Sequence, residues 1–116
     1  MKRTKYEPIA YGEADRDLAI KRKHTERKNT PVYSGVLKYF PDAIRAVAQC
    51  SLAGNEQHNP GADLHWNRSL SGDELDALSR HLLDAGTMDD DGVRHSTKIA
   101  WRALANLQKE LERDAI

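Results

Sequence analysis

His81 and His95 stand either side of an acidic run that holds Asp84, Asp89, Asp90 and Asp91. Imidazoles and carboxylates are the side chains that bind divalent cations, and carboxylates also serve as general bases. The stretch from Ser71 to Gly86 reads as a helix, in which each residue turns the chain by about 100°. Measured from an apolar stripe of Leu75, Leu78 and Leu82, Glu74, His81 and Asp84 lie on one flank. His95, Ile99 and Arg102 follow i, i+4, i+7 spacing on a later helix, which points His95 inward. In an antiparallel hairpin of these two helices, His81, Asp84, the aspartate run and His95 converge. Metal ligands are then expected from His81, Asp84, Asp91 and His95. Dominant carboxylates would favour Mg²⁺ or Mn²⁺, and two bound histidines would favour Zn²⁺. Glu74 or Asp84 would act as the base. Arg80, Arg94, Lys98 and Arg102 form a basic rim suited to phosphate groups. Plainer roles compete: Glu74 has capping-box spacing from Ser71, and aspartates before a helix complement its dipole.

Three helices must carry these residues. The first runs through "YFPDAIRAVAQCSLAG", with Phe40, Ile44, Val47, Ala48, Ser51 and Leu52 on one face, Pro41 near its start and Gly54 as its stop. The second ends at Gly86. The third follows "TMDDDG" and reaches about Glu112, with Ile99, Ala100, Ala103, Leu104, Leu107 and Leu111 as its inner face. No strand pattern competes, so the expected class is all-α, a small bundle of three main helices. Three such helices enclose little core, and homo-oligomerisation would complete it.

Between the first two helices lies "GNEQHNPGADLHWN", a polar loop dense in donors and acceptors. Trp66 is either a plug over the helices or a flat surface for a nucleobase. Asn55 is a candidate ligand contact, while His58 and His65 have no assigned role. So long a connection in so small a domain suggests a binding loop.

The 116 residues suit one small domain. Residues 1–30 hold nine Lys/Arg against five Asp/Glu, although the whole chain is formally neutral. They read as a basic, largely mobile arm, with nucleic-acid contact as the alternative role, and residues 31–116 as the folded domain. Within the arm, Asp15 to Lys28 has the composition of an exposed charged helix. The single Cys50 cannot form an intramolecular disulfide and fits a buried position. The absence of an apolar run near 18 residues, or of a secretion signal, points to a cytoplasmic protein without a membrane span.

The ordered set "PVYSGVLKYFPDAIRAVAQCS", "HW", "DALSRHLLDAG" and "DDDGVRHSTKIAWRALANL" resembles a family of small phage and prophage proteins. That family is described as dATP/dGTP diphosphohydrolase-like and related to MazG-like enzymes. The resemblance spans Pro31 to Leu111, with Trp66, Arg80, His81, Asp91, Gly92 and His95 at positions of its pattern. It implies an all-α protein that cleaves a purine deoxynucleoside triphosphate to monophosphate and pyrophosphate with Mg²⁺, in the cytoplasm of an infected host. MazG-like enzymes hold metal with E-x-x-E on one helix and E-x-x-D on the next; no E-x-x-E occurs in this chain.

Two functions of different class follow. In the first, His81, Asp84, Asp91 and His95 hold metal, Arg80, Lys98 and Arg102 clamp phosphates, and Trp66 stacks on the base. In the second, the protein binds without catalysis and sequesters a linear or cyclic nucleotide signal of host defence.

Overall fold

The structure is a computed structural model that describes residues 13–70 and 72–115. Four α-helices appear in the order α1 (Glu13–Lys28), α2 (Pro41–His58), α3 (Glu74–Leu83) and α4 (His95–Asp114). A π-helical turn covers Tyr33–Leu37 and a 3₁₀ turn Arg68–Leu70. The fold is all-α. None of these helices is long and apolar enough to cross a membrane.

The contacts divide the chain into two units, one reaching Pro41 and the other running from Asp42 to Asp114. In the first, α1 is charged, and its described side chains are exposed apart from a half-buried Ala19. The π turn closes with the Lys38 amide donating to the Tyr33 carbonyl at 2.8 Å.

In the second unit α2 does not stop at Gly54. It continues to His58, so Asn55 is a helical residue and the irregular loop begins at Asn59. A helical glycine costs about 1 kcal/mol relative to alanine. Helix continuation gains the Asn59 amide to Asn55 carbonyl bond, at 2.7 Å, and presents Asn55 to the loop. Helix α3 starts later than the capping-box reading supposed. Asp73 stands at its N-cap without a side-chain capping bond, and Ser71 lies outside the described residues.

Helices α3 and α4 pack against each other, yet most of their leucines stay exposed and only Leu78 is half-buried. The buried apolar residues of the described chain are Ala77 and Ala105, each 4% exposed, joined by Glu74 and Thr97 from the same two helices. Leu75 and Leu82 of α3 are mostly exposed, as are Leu104, Leu107 and Leu111 of α4 at 50–56%. The expected inner face of α4 is therefore corrected. Its leucines are exposed, the buried positions of α4 are Thr97 and Ala105, and His95, Arg102 and Lys109 meet α3. The contact is made by small side chains and ion pairs, which let the two backbones approach while charged stems cover the seam.

Such a contact has no room for a larger side chain. Ala105→Leu is expected to lower the unfolding free energy by about 1–3 kcal/mol, read by urea denaturation followed by circular dichroism.

Candidate functional site

The acidic turn between α3 and α4 is a tight reversal of the chain. The Gly92 amide donates to the Asp89 carbonyl at 3.0 Å, and the Asp89 amide to the Val93 carbonyl at 2.9 Å. Gly92 takes φ +82°, the left-handed position that lets a three-residue turn close without steric cost. Met88 pairs with Arg94 as an antiparallel bridge, and the His95 amide donates to the Thr87 carbonyl at 3.1 Å. The start of α4 is thereby fixed beside the end of α3.

His81 and His95 meet there, with their Nδ1 atoms 2.9 Å apart. One ring must donate and the other accept, so the contact excludes a proton on both facing nitrogens. Asp89 Oδ2 lies 3.9 Å from His95 Nδ1. Each of His81, Asp89 and His95 offers a ligand atom, and the three atoms lie within 4.8 Å of one another. Two imidazole nitrogens and a carboxylate oxygen fit a divalent transition ion and are poor ligands for Mg²⁺, which demands oxygen.

Lys98, one turn into α4, reaches into the same group. Its Nζ donates to Asp89 Oδ2 at 2.6 Å and to Asp91 Oδ2 at 2.7 Å. The ammonium holds the Asp89 carboxyl down to about 2, aided by the Asp90 amide, and holds Asp91 low as well. Burial alone would lower the Lys98 pKa, but the bonds to the two aspartates outweigh it and raise it. Burial depresses His81, and the nearby Lys98 charge adds to the effect.

A second cluster lies further along α4. Glu74, 4% exposed, accepts from Arg102 at 3.2 Å and from Lys109 at 2.8 Å. Its carboxylate is thus committed to the helix–helix contact. Trp66 packs edge-on against Trp101 with ring centroids 5.6 Å apart, and the Trp101 indole donates to Ser51 of α2 at 2.7 Å. Arg68 covers the Trp66 ring at 4.2 Å and Lys109 sits 5.9 Å from its centre. The buried Trp66 indole nitrogen has no hydrogen-bond partner among the described residues.

The residues singled out from sequence therefore separate. His81, His95, Lys98 and Asp91 come together. Asp84 sits at the C-cap of α3 and is exposed. Arg80 turns back to Asp73 at 3.0 Å, near the opposite end of its helix. Arg102 lies over the Trp101 ring at 5.5 Å while bonded to Glu74. Asn55 is buried and shapes the loop, donating to the Ala62 carbonyl at 3.0 Å and accepting from the His65 amide at 3.2 Å. Asp89 was one of three adjacent aspartates in sequence, and the turn singles it out. Trp101 and Lys109 had no sequence signal beyond their helical register.

The all-α hairpin brings two imidazoles and a carboxylate into one cluster beside Lys98. The chain belongs to the family described as dATP/dGTP diphosphohydrolase, N-terminal, which matches residues 21–116. No curated protein and no solved structure matches it.

The depressed His81 gives stability a direction with pH. A folded pKa below the ordinary 6.5 means that the unfolded chain binds the proton more readily. The contribution is present above about 6.5 and is lost as the pH falls below it. The Tm should therefore fall between pH 7.5 and 5, and His81→Gln should flatten that slope. The Asp89 contribution is lost in a separate window, as the pH falls from 3.8 toward about 2.

Proposed function

We propose that the chain hydrolyses a purine deoxynucleoside triphosphate of the dATP/dGTP kind to the monophosphate and pyrophosphate, with a divalent ion. The observation that carries this reading is the convergence of His81, Asp89 and His95 in a member of this family. The donor set favours Mn²⁺ or Zn²⁺ over Mg²⁺. An ion held there would supply neutralisation of phosphate charge and a more acidic water. Lys98 and Asp91 border the cluster, and Lys98 would contact phosphate oxygens. Asp84, three residues beyond His81 on the same helix, is the carboxylate left to accept a proton, since Glu74 is held in ion pairs. Along α4, Arg102 lies about 10 Å from His95. That spacing allows phosphates near the histidines and a base toward the Trp66–Trp101 pair, where it would replace the Arg68 guanidinium.

Purified protein incubated with each dNTP and Mn²⁺, Zn²⁺ or Mg²⁺ should release pyrophosphate from dATP or dGTP. His95→Ala and Asp89→Asn should each lower the rate by about 10²-fold or more. Absence of pyrophosphate from every combination overturns the reading.

One observation favours a second reading, retention of a nucleotide without cleavage. Lys98 already neutralises charge on Asp89 and Asp91 without a metal. Nucleotide binding insensitive to EDTA, with the ligand recovered intact, would support it.

The same proposal has the chain working as a homo-oligomer. Ala100, Leu104, Leu107 and Leu111 repeat with 4–3–4 spacing, the seam of a coiled-coil pair, and the leucines are about half exposed. Complete burial of one leucine contributes about 1.5–3 kcal/mol, more than the small α3–α4 contact gains from its alanines. Light scattering should give a mass above that of one chain, and the pair Leu104→Glu with Leu107→Glu should return it to one. A single-chain mass for the unmutated protein removes this part of the proposal and leaves the chemistry untouched.

A further inference from the structure

Lys98 has no place in a simple metal site. Two short bonds hold its ammonium on Asp89 and Asp91, and its side chain is only 19% exposed. Asp89 Oδ2 is at once its nearer partner, at 2.6 Å, and the oxygen that faces His95 at 3.9 Å. A divalent ion on His81, Asp89 and His95 would have to share that oxygen with an ammonium already bonded to it. Repulsion at such range is strong even with an effective dielectric near 20. The two carboxylates and the ammonium together leave a single negative charge, too little to draw in a bare dication against that repulsion.

We propose that Lys98 is the resident cation of this cluster and makes metal binding conditional on a polyphosphate. An anionic phosphate chain draws the ammonium off Asp89, and the freed carboxylate then completes a metal site with His81 and His95. Metal and polyphosphate thus bind with positive coupling, each raising the affinity of the other by the same factor. Lysine suits this role. Its compact ammonium sits on a flexible four-carbon stem and can exchange one oxygen partner for another, which a guanidinium locked into a planar fork does less readily. The inference rests on the metal site of the preceding reading but requires no turnover.

The test uses the whole chain without nucleotide. Calorimetry with Mn²⁺ alone, and again with Zn²⁺ alone, is run on the unmutated protein and on Lys98→Met. The variant should bind at least about tenfold more tightly, because a unit positive charge beside the ion has gone. Adding His95→Ala to that variant should abolish the gain. In thermal melts of the unmutated chain, Mn²⁺ with inorganic triphosphate should raise the Tm by more than the two separate shifts combined. Lys98→Gln, which keeps donors without the charge, replaces the methionine variant if circular dichroism shows that the latter is unfolded. Equal metal affinity with and without the Lys98 charge overturns the proposal, as does a merely additive melt. Failure of dNTP cleavage with this coupling intact would count against the catalytic reading alone.

Discussion

The buried Glu74 carboxylate governs how the two central helices face each other. A charge with 4% exposure is costly unless it is paired, and Arg102 and Lys109, two turns apart on α4, pair it from the opposite helix. That requirement sets the rotation of both helices about their axes. Glu74, Ala77 and His81 recur at i, i+3 and i+7, so the face that brings Glu74 to α4 brings His81 as well. On α4, the face that carries Arg102 and Lys109 also carries Lys98 and Ala105. Turning either helix to bury its leucines would leave Glu74 without its partners and separate the two histidines. The candidate site and the exposed leucines have one cause.

Much of the architecture was legible in the pattern of residues. Helical periodicity located α3 and α4, although α3 ends at Leu83 and not at Gly86, and the convergence of His81 with His95 follows from an antiparallel hairpin. The choice of buried face was not legible, because a leucine stripe and a flank of alanine, glutamate and histidine both satisfy a 3.6-residue period. Hydrophobicity ranks the leucines first; ion-pair complementarity between two helices distant in sequence decides otherwise. Asn55 was misplaced for a related reason. Gly54 reads locally as a stop, yet Asn55 bonds Ala62 and His65, and partners seven and ten residues away do not register in a local pattern.

The loop that joins α2 to α3 is held by contacts of the same long-range kind. Arg68 bridges Glu112 at 3.0 Å while its guanidinium covers Trp66, and Trp66 leans on Trp101, which is tied to Ser51. Trp66 is therefore a packed residue in the structure, as the plug reading had it. Its two covering cations and its unpartnered buried N–H keep it chemically distinct from an ordinary core tryptophan. A flat ring under a movable guanidinium is a surface that another planar group can take over.

The acidic turn shows why three adjacent aspartates do not act as one cluster. Asp91 uses Oδ1 to accept the Val93 amide at 3.0 Å and Oδ2 to accept Lys98, while Asp89 Oδ1 accepts the Asp90 amide at 2.7 Å. Asp89 and Asp91 thus each spend one oxygen on the turn and present the other to the ammonium. Asp89 alone points that second oxygen toward the histidines. A sequence pattern can supply the three carboxylates, but hydrogen bonding within the turn distributes their oxygens. In this chain that distribution joins the imidazole pair to a lysine, so the electrostatics of the site belong to the lysine and the aspartates together.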